Sequence, residues 1–559
     1  MMDRRTLLAI VLATVVVIMF QVFFFRSSPP PLPAPEQADS VAVPAPEVVE
    51  RQPPPAAAPG DTLRLWRPGA SVEAREFTVR TPDYVARLSS RGGVLRSFTL
   101  LGFPGRDSEP VEMVRDSLQG ELGLTLLTRK GPIDLSETVF SAQETPNDSA
   151  TVITFTAADS AGPHILRRYS FPREGFAIRH EVEIAGAGTL GEGVDYRIEW
   201  SGGLPVSEKN PKTDLGAFAS VTFVGKNLKQ DGLRSMKPGV RHEYAGEAIH
   251  WTGVRNKYFI SAIAPVRGDP VRVSTFGSRE NASTGTELTM AVLPEETTRH
   301  EFLVYIGPLD FHDLRGLGVG LEHAVNLGWQ ALRWLSVFVL DVLDWSYRFI
   351  PNYGWIIVLL SALTKLVFYP LTRSSMRSMA GLQRLKPEMD ALREKYKGDP
   401  TKMNQAVMEL YRKHKVNPMG GCLPILVQMP VFIALYNVLA NAVELRRAGF
   451  LLWIDDLSAP DTVGHLFGFP INPLPLVMTG TTILQQKLTP TDPRQAMMAY
   501  MMPVVMLIFF YSFPSGLVIY WTVNNVLQIA QQWWMNRQQS AAVPVEVVAP
   551  PRKDARRRR

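Results

Sequence analysis

Gly354-Trp355-Ile356-Ile357-Val358-Leu359-Leu360-Ser361-Ala362-Leu363-Thr364-Lys365-Leu366-Val367-Phe368-Tyr369-Pro370-Leu371 is an apolar run interrupted by a single charge. As an α-helix rising about 1.5 Å per residue it is long enough to cross roughly 30 Å of bilayer hydrocarbon. A lysine inside such a run is penalised by about 2.5 to 3.5 kcal/mol on insertion scales, so Lys365 is expected either to work within the membrane or to snorkel to the nearby headgroups. Ser361 shares its helix face and Thr364 adjoins it, which gives that side of the helix a polar character.

Working outward, apolar runs follow at 423–442, 473–488, 498–511 and 517–534, and one precedes, from Leu7 to Phe25. Six crossings are expected. Lysine and arginine stay on the cytoplasmic side. The loop 373–415 is rich in both, and the chain ends in Arg556-Arg557-Arg558-Arg559. Placing these inside agrees with Arg4-Arg5 ahead of the first run, and puts residues 26 onward, 444–471 and 513–516 outside. The first run passes from three phenylalanines into Arg26 without a small-residue cleavage site, so residues 1–26 are read as an uncleaved anchor.

Residues 27–60 are crowded with Pro and Ala and predict an extended tether. Across 61–308, short segments such as Val94-Leu95-Arg96-Ser97-Phe98 and Ile165-Leu166-Arg167-Arg168-Tyr169 alternate apolar and polar residues, with Gly92-Gly93 and Gly202-Gly203 as punctuation. This predicts an antiparallel β-sandwich. Residues 309–352 suit an amphipathic interfacial helix with its lead-in, since Trp and Leu there are mixed with Glu322, His323, Arg333, Asp341 and Asp344. Within the core, 353–534, the segment 376–415 predicts a cytoplasmic helical hairpin: apolar residues recur every three or four positions on both sides of Gly398-Asp399-Pro400. Asp399 can cap, Pro400 can start the second helix, and Pro387 is expected to kink the first. The hairpin either packs only on itself or offers a docking surface. Residues 535–559 form a basic tail. The fold class is therefore a multidomain membrane protein: a transmembrane α-helical bundle of five core helices plus an anchor helix, with an inserted all-β sandwich.

The net charge of +6 arises largely from the loop and the tail, and leaves nucleic acid, acidic lipid and ribosomal RNA open as partners. One cysteine, Cys422, excludes an intrachain disulfide framework. The chain has no GxxxxGK[ST], GxSxG or CxxC motif, and the five core runs contain no histidine to serve a membrane-embedded nucleophile. No catalytic residues, metal ligands or cofactor are expected. What stands out is a polar stripe on the last run, Trp521, Asn524 and Gln528, with Asn525 beside it and Gln428, Gln485 and Gln486 on two other runs. Amides in hydrocarbon must pair between helices or line a hydrated cavity. Together with Lys365, Ser361 and Thr364, and with no acidic residue in these runs, they suggest a wet, positively charged groove.

The membrane half resembles the YidC membrane protein insertases. The resemblance rests on Tyr369-Pro370-Leu371-Thr372, the run from Val416-Asn417-Pro418-Met419-Gly420-Gly421-Cys422 through Gln428-Met429-Pro430-Val431-Phe432, Leu452-Trp453-Ile454-Asp455-Asp456-Leu457-Ser458, and Phe513-Pro514-Ser515-Gly516-Leu517-Val518. The anchor, tether and β-domain match the Gram-negative branch by arrangement. The resemblance implies a bacterial inner-membrane protein with both termini cytoplasmic and a large periplasmic domain. It implies five helices around a groove open to cytoplasm and lipid, which receives nascent membrane proteins. The Sec translocon, the ribosome (through the tail and hairpin) and membrane lipid are the implied partners, and DNA is not. Lys365 falls where the family usually carries an arginine, Ser361 at a substrate-contacting hydroxyl and Trp521 at an aromatic wall. Lysine keeps the charge without the planar fork and is the more readily neutralised of the two. The alternatives from other classes are a small-molecule transporter, against which the lack of an internal repeat speaks, and a carbohydrate-binding or assembly module on a membrane anchor.

Overall fold

The computed structural model describes residues 73–540 apart from 117, 159–161, 295, 415, 417–422 and 489–495. The expected anchor at 1–26, the tether at 27–60, the tail from 541 onward and the motif residues 417–422 lie outside the described residues.

Strands between Glu76 and Pro308 form antiparallel sheets of four, nine and six strands. The nine-stranded sheet centres on Phe259–Arg267, Thr298–Pro308 and Ala177–Ala185, with Ala177 opposite Tyr305 and Phe259 opposite Pro308. Its Ile178, Val182, Phe302 and Val304 share one core with Tyr196, Ile198, Val273 and Leu288 of the six-stranded sheet. Alternation in His164–Pro172 turns Ile165, Tyr169 and Phe171 inward, and Arg167 with them. A buried guanidinium is tolerable only when its donors are used. Arg167 donates from its terminal nitrogens to the carbonyls of Gly92 (2.8 Å) and Leu122 (2.5 Å) and to the Tyr169 hydroxyl (2.5 Å), while its buried Nε has no partner among the described residues.

The second half is helical: α1 (Gln330–Tyr347), α2 (Tyr353–Val367), α3 (Tyr369–Arg384), α4 (Lys386–Lys395), α5 (Pro400–Lys413), α6 (Leu423–Asn441), α7 (Pro473–Leu488), α8 (Ala496–Phe510) and α9 (Ser515–Ser540). A second apolar core joins the two halves, running from Trp251, Ile260 and Tyr305 through Leu340 and Leu343 of α1 to Ile357, Leu435 and Leu517 in the helices. The amphipathic segment is shorter than its sequence suggests. Glu322 and His323 lie in a 3-10 turn, Leu321–Ala324, and Gly328 at φ 85° separates that turn from α1. Helix α1 buries Val339, Leu340 and Leu343 and exposes Trp334, Phe338 and Trp345.

The run 354–371 is not one straight helix. It breaks at Phe368, and α2 meets the first part of α3 at 59°. Pro370 has no N–H to give to the preceding turn, and its ring crowds the carbonyl of residue 366, so the chain restarts as a new helix. Pro387 likewise begins α4 rather than kinking a longer helix, whereas Asp399 caps α5 by accepting from the Lys402 amide (3.0 Å). Among the described residues no single helix is long and apolar enough to cross a membrane, and only the bent pair α2–α3 passes that test jointly. Helix α9 has the length, with 26 residues, but its run of amides lowers its hydropathy.

The β-domain is fastened to the segment after α6. Arg446 Nε donates to Glu208 Oε1 at 2.7 Å and its NH2 to the Pro104 carbonyl at 2.8 Å, with the guanidinium 5.1 Å from the Phe259 ring centre. The Tyr258 hydroxyl donates to Ser458 Oγ at 2.9 Å, and Arg447 donates to the Gly105 carbonyl.

Candidate functional site

Helix α9 lies against both α2 and α7, and the polar stripe sits on that seam. Lys365, in the last turn of α2, donates from Nζ to Gln528 Oε1 of α9 at 2.6 Å. Two residues singled out separately in the sequence therefore meet, and the lysine's partner is a neutral amide rather than a carboxylate. Ser361 is buried and returns its hydroxyl proton to the Ile357 carbonyl (2.8 Å), while Thr364 does the same to Ser361 (2.9 Å). Both hydroxyls are thus satisfied within α2.

Gln428 of α6 donates to the Tyr520 hydroxyl at 3.3 Å, linking a second helix to α9. Trp521 packs edge-on to Phe432 (5.4 Å between centroids) and tilted against Phe510 (5.1 Å), forming an aromatic wall from three helices. Asn524 donates to the Tyr520 carbonyl at 2.8 Å, and its buried Oδ1 has no partner among the described residues. Gln486 is half-buried on α7, with no hydrogen bond to the other residues of the cluster among the described residues. The structure thus brings together Lys365 and Gln528, and links Gln428 and Trp521 to the same helix, but leaves Gln486 apart.

The stripe is longer than its sequence reading. Asn525 donates to Thr482 Oγ1 (2.9 Å) and Thr481 Oγ1 (3.3 Å), Gln532 donates to the Leu488 carbonyl (2.7 Å), and buried Gln531 Nε2 has no partner among the described residues. The signal was available. Gln531 and Gln532 continue the spacing of 521, 524 and 528 by one more turn, and Tyr520 lies four residues before Asn524. Away from the seam the helices show apolar side chains to the exterior, among them Leu359, Leu363 and Leu366 on α2, Val504 and Ile508 on α8 and Val526 on α9. An apolar exterior around a polar seam inverts the arrangement of a water-soluble bundle. No group of three or more His, Cys, Asp or Glu that could hold a metal ion occurs among the described residues.

Residues 345–542 match the family described as 60Kd inner membrane protein, and residues 76–340 the family described as YidC periplasmic domain. The chain is 36% identical to the membrane protein insertase YidC of Geobacter metallireducens over 529 residues, 91% of either chain. It is 33% identical to that of Syntrophus aciditrophicus, covering 96% of this chain and 100% of the other. Among solved structures it is similar to an active YidC insertase with its first transmembrane domain resolved, at 20% identity and a TM-score of 0.37, covering 82% of this chain and 92% of that one.

Proposed function

The chain belongs to the YidC family of membrane protein insertases, and from that premise we propose how it inserts newly made inner-membrane proteins: through a hydrophilic, positively charged groove on the seam of α2, α6, α7 and α9. On this reading α2 with the start of α3, and α6, α7, α8 and α9, are five spans, and the run 7–25 is a sixth. The hairpin 376–415 and both termini are cytoplasmic. The proposed limits are an anchor at 1–26, a tether at 27–60, a periplasmic domain at 61–308, an interfacial segment at 309–352, an insertase core at 353–534 and a basic tail at 535–559. The hairpin receives nascent chains, it and the tail are the surfaces for the ribosome, and the protein works alone or beside the Sec translocon.

The observation that carries the groove is the bond from Lys365 to Gln528. A cation held by an amide keeps its charge uncompensated by any formal negative, so it can attract acidic residues in a substrate segment bound for the periplasm. The other half of the proposal is local thinning of the barrier, in which the polar seam hydrates part of the inner leaflet. The substrate helix then leaves the polar seam for lipid, driven by burial of its apolar surface.

The test is reconstitution of the purified protein alone in liposomes, with protease protection of a short acidic-tailed membrane protein as readout. Wild type and Lys365→Arg are expected to protect the substrate and Lys365→Ala to lose most of that protection. Equal protection by Lys365→Ala would remove the charge from the mechanism.

A further inference from the structure

The segment between α6 and α7 carries two bulky apolar residues whose conformation the fold does not repay. Leu452 and Phe467 hold left-handed backbone, at φ 58° and 50°. That conformation is disfavoured for any residue with a Cβ, and a large side chain makes it an outlier. Strain of this kind persists where packing or function compensates. Packing does not: the two side chains are 88% and 92% exposed.

Phe467 and Gly468, the latter at φ 82°, form the two-residue turn between the strands Gly464–Leu466 and Phe469–Ile471. Positive φ at both positions is the hairpin turn in which asparagine is the favoured first residue, so the phenylalanine is the wrong choice for the turn itself. Its neighbours Leu466 and Phe469 are exposed as well. The base of the hairpin is fixed. The Tyr511 hydroxyl, just beyond α8, donates to the Pro470 carbonyl (2.5 Å), and Asn472 donates back to the Tyr511 carbonyl (2.6 Å). Asp461 accepts from the Trp453 indole (3.0 Å) and from the Leu474 amide at the start of α7 (2.7 Å), which ties both turns to one helix end. Residues 462–486 contain no Asp, Glu, Lys or Arg and one histidine, the exposed His465, so the hairpin and the exterior of α7, with exposed Leu476 and Val477, form one largely apolar surface without a fixed charge.

We infer that the turns at Leu452 and Phe467 are seated in the lipid of the periplasmic leaflet, beside the ends of α7 and α8, with phospholipid as the occupant of this surface. The choice of lipid over a protein partner rests on the continuity with the exterior of α7 and, for the hairpin, on the absence of fixed charge across 462–486, whereas the turn at Leu452 has the exposed Asp455 three residues on. The inference depends on the reading of α7 and α8 as membrane spans.

The experiment uses the full chain in nanodiscs with its only cysteine removed by Cys422→Ser. An environment-sensitive fluorophore is attached in turn at Phe467→Cys, Leu452→Cys, Ile508→Cys on α8 and Lys130→Cys on an exposed turn of the β-domain. Blue-shifted emission at 467 and 452, quenched by nitroxide-labelled phospholipid and insensitive to aqueous iodide, is the expected result, with the label at 130 showing the reverse. Iodide quenching at 467 and 452 as strong as at 130 overturns the inference. So does shielding from both quenchers, which would mean a protein covers the turns. If the label at 508 also escapes the lipid quencher, the span reading fails with it. If 508 is quenched by lipid and 467 and 452 are not, the hairpin inference fails alone.

Discussion

Arg446 and Glu208 are 238 positions apart in the chain and meet at 2.7 Å, with side chains only 2% and 12% exposed. Removing one partner of such a buried pair strands the other, typically at about 3–5 kcal/mol. Arg446→Ala should therefore lower stability by about that much, and adding Glu208→Gln should recover part of the loss, as a double-mutant cycle by denaturant unfolding will show. A second buried carboxylate predicts a pH dependence. Burial pushes Glu121 up to about 8, against amides of Ser201 and Gly202 that favour the charge, and nearby Glu199 and Asp116 raise it further. A carboxyl raised on folding binds more protons in the native state than in the unfolded one. Its contribution is thus complete below about 4.5 and is lost as pH rises through about 8. Thermal unfolding should show falling stability across that window, and Glu121→Gln should flatten the slope. Neither residue was legible beforehand, because nothing local in a sequence marks an arginine and a glutamate that meet only after the β-domain and the membrane segment have folded. Lys365 was legible for the opposite reason: a charge in an apolar run is anomalous by its neighbours alone.

At the scale of elements, sequence periodicity located the helices and missed their breaks. The apolar run 354–371 reads as continuous because Pro370 sits one residue from its end, where a proline is as compatible with a stop as with a bend. In the structure it separates α2 from α3 by 59°. Pro370→Ala restores the missing donor and should let the two helices straighten. Spin labels at Leu363 and Met379, both exposed, should then lie farther apart in pulsed dipolar spectra than in the parent chain. An unchanged distance would mean that packing, not proline, sets the bend. The cap on α5 was read correctly because it is local: Asp399 and Pro400 carry the helix start in their own chemistry. Asp399→Ala should loosen the start of α5, visible as faster hydrogen exchange in residues 401–404.

For the whole molecule, the groove residues all lie on helices, whereas the β-domain meets the core through Arg446, Tyr258 and the apolar cluster around Trp251 and Tyr305. Deletion of residues 61–305 should therefore leave substrate protection in liposomes largely intact but lower the melting temperature, since Arg446 loses Glu208 and the Pro104 carbonyl together. Arg446→Gln in the deleted chain should return part of that temperature. Loss of protection with an undiminished melting temperature would place the domain in the insertion step itself. The two-part layout was legible because period-two and long apolar patterns differ so plainly, whereas the contact between the parts was not.

The bend at Phe368 has one more consequence. By ending α2 there, the chain leaves Lys365 in the helix's last turn, where the peptide dipoles gather their negative ends and the Leu366 carbonyl has no i+4 N–H because residue 370 is proline. The lysine thus has a diffuse counter-charge built into its own backbone, which accounts for how a cation can stand in this seam on an amide alone. It also means that straightening the helix would withdraw that support without touching the lysine's side chain.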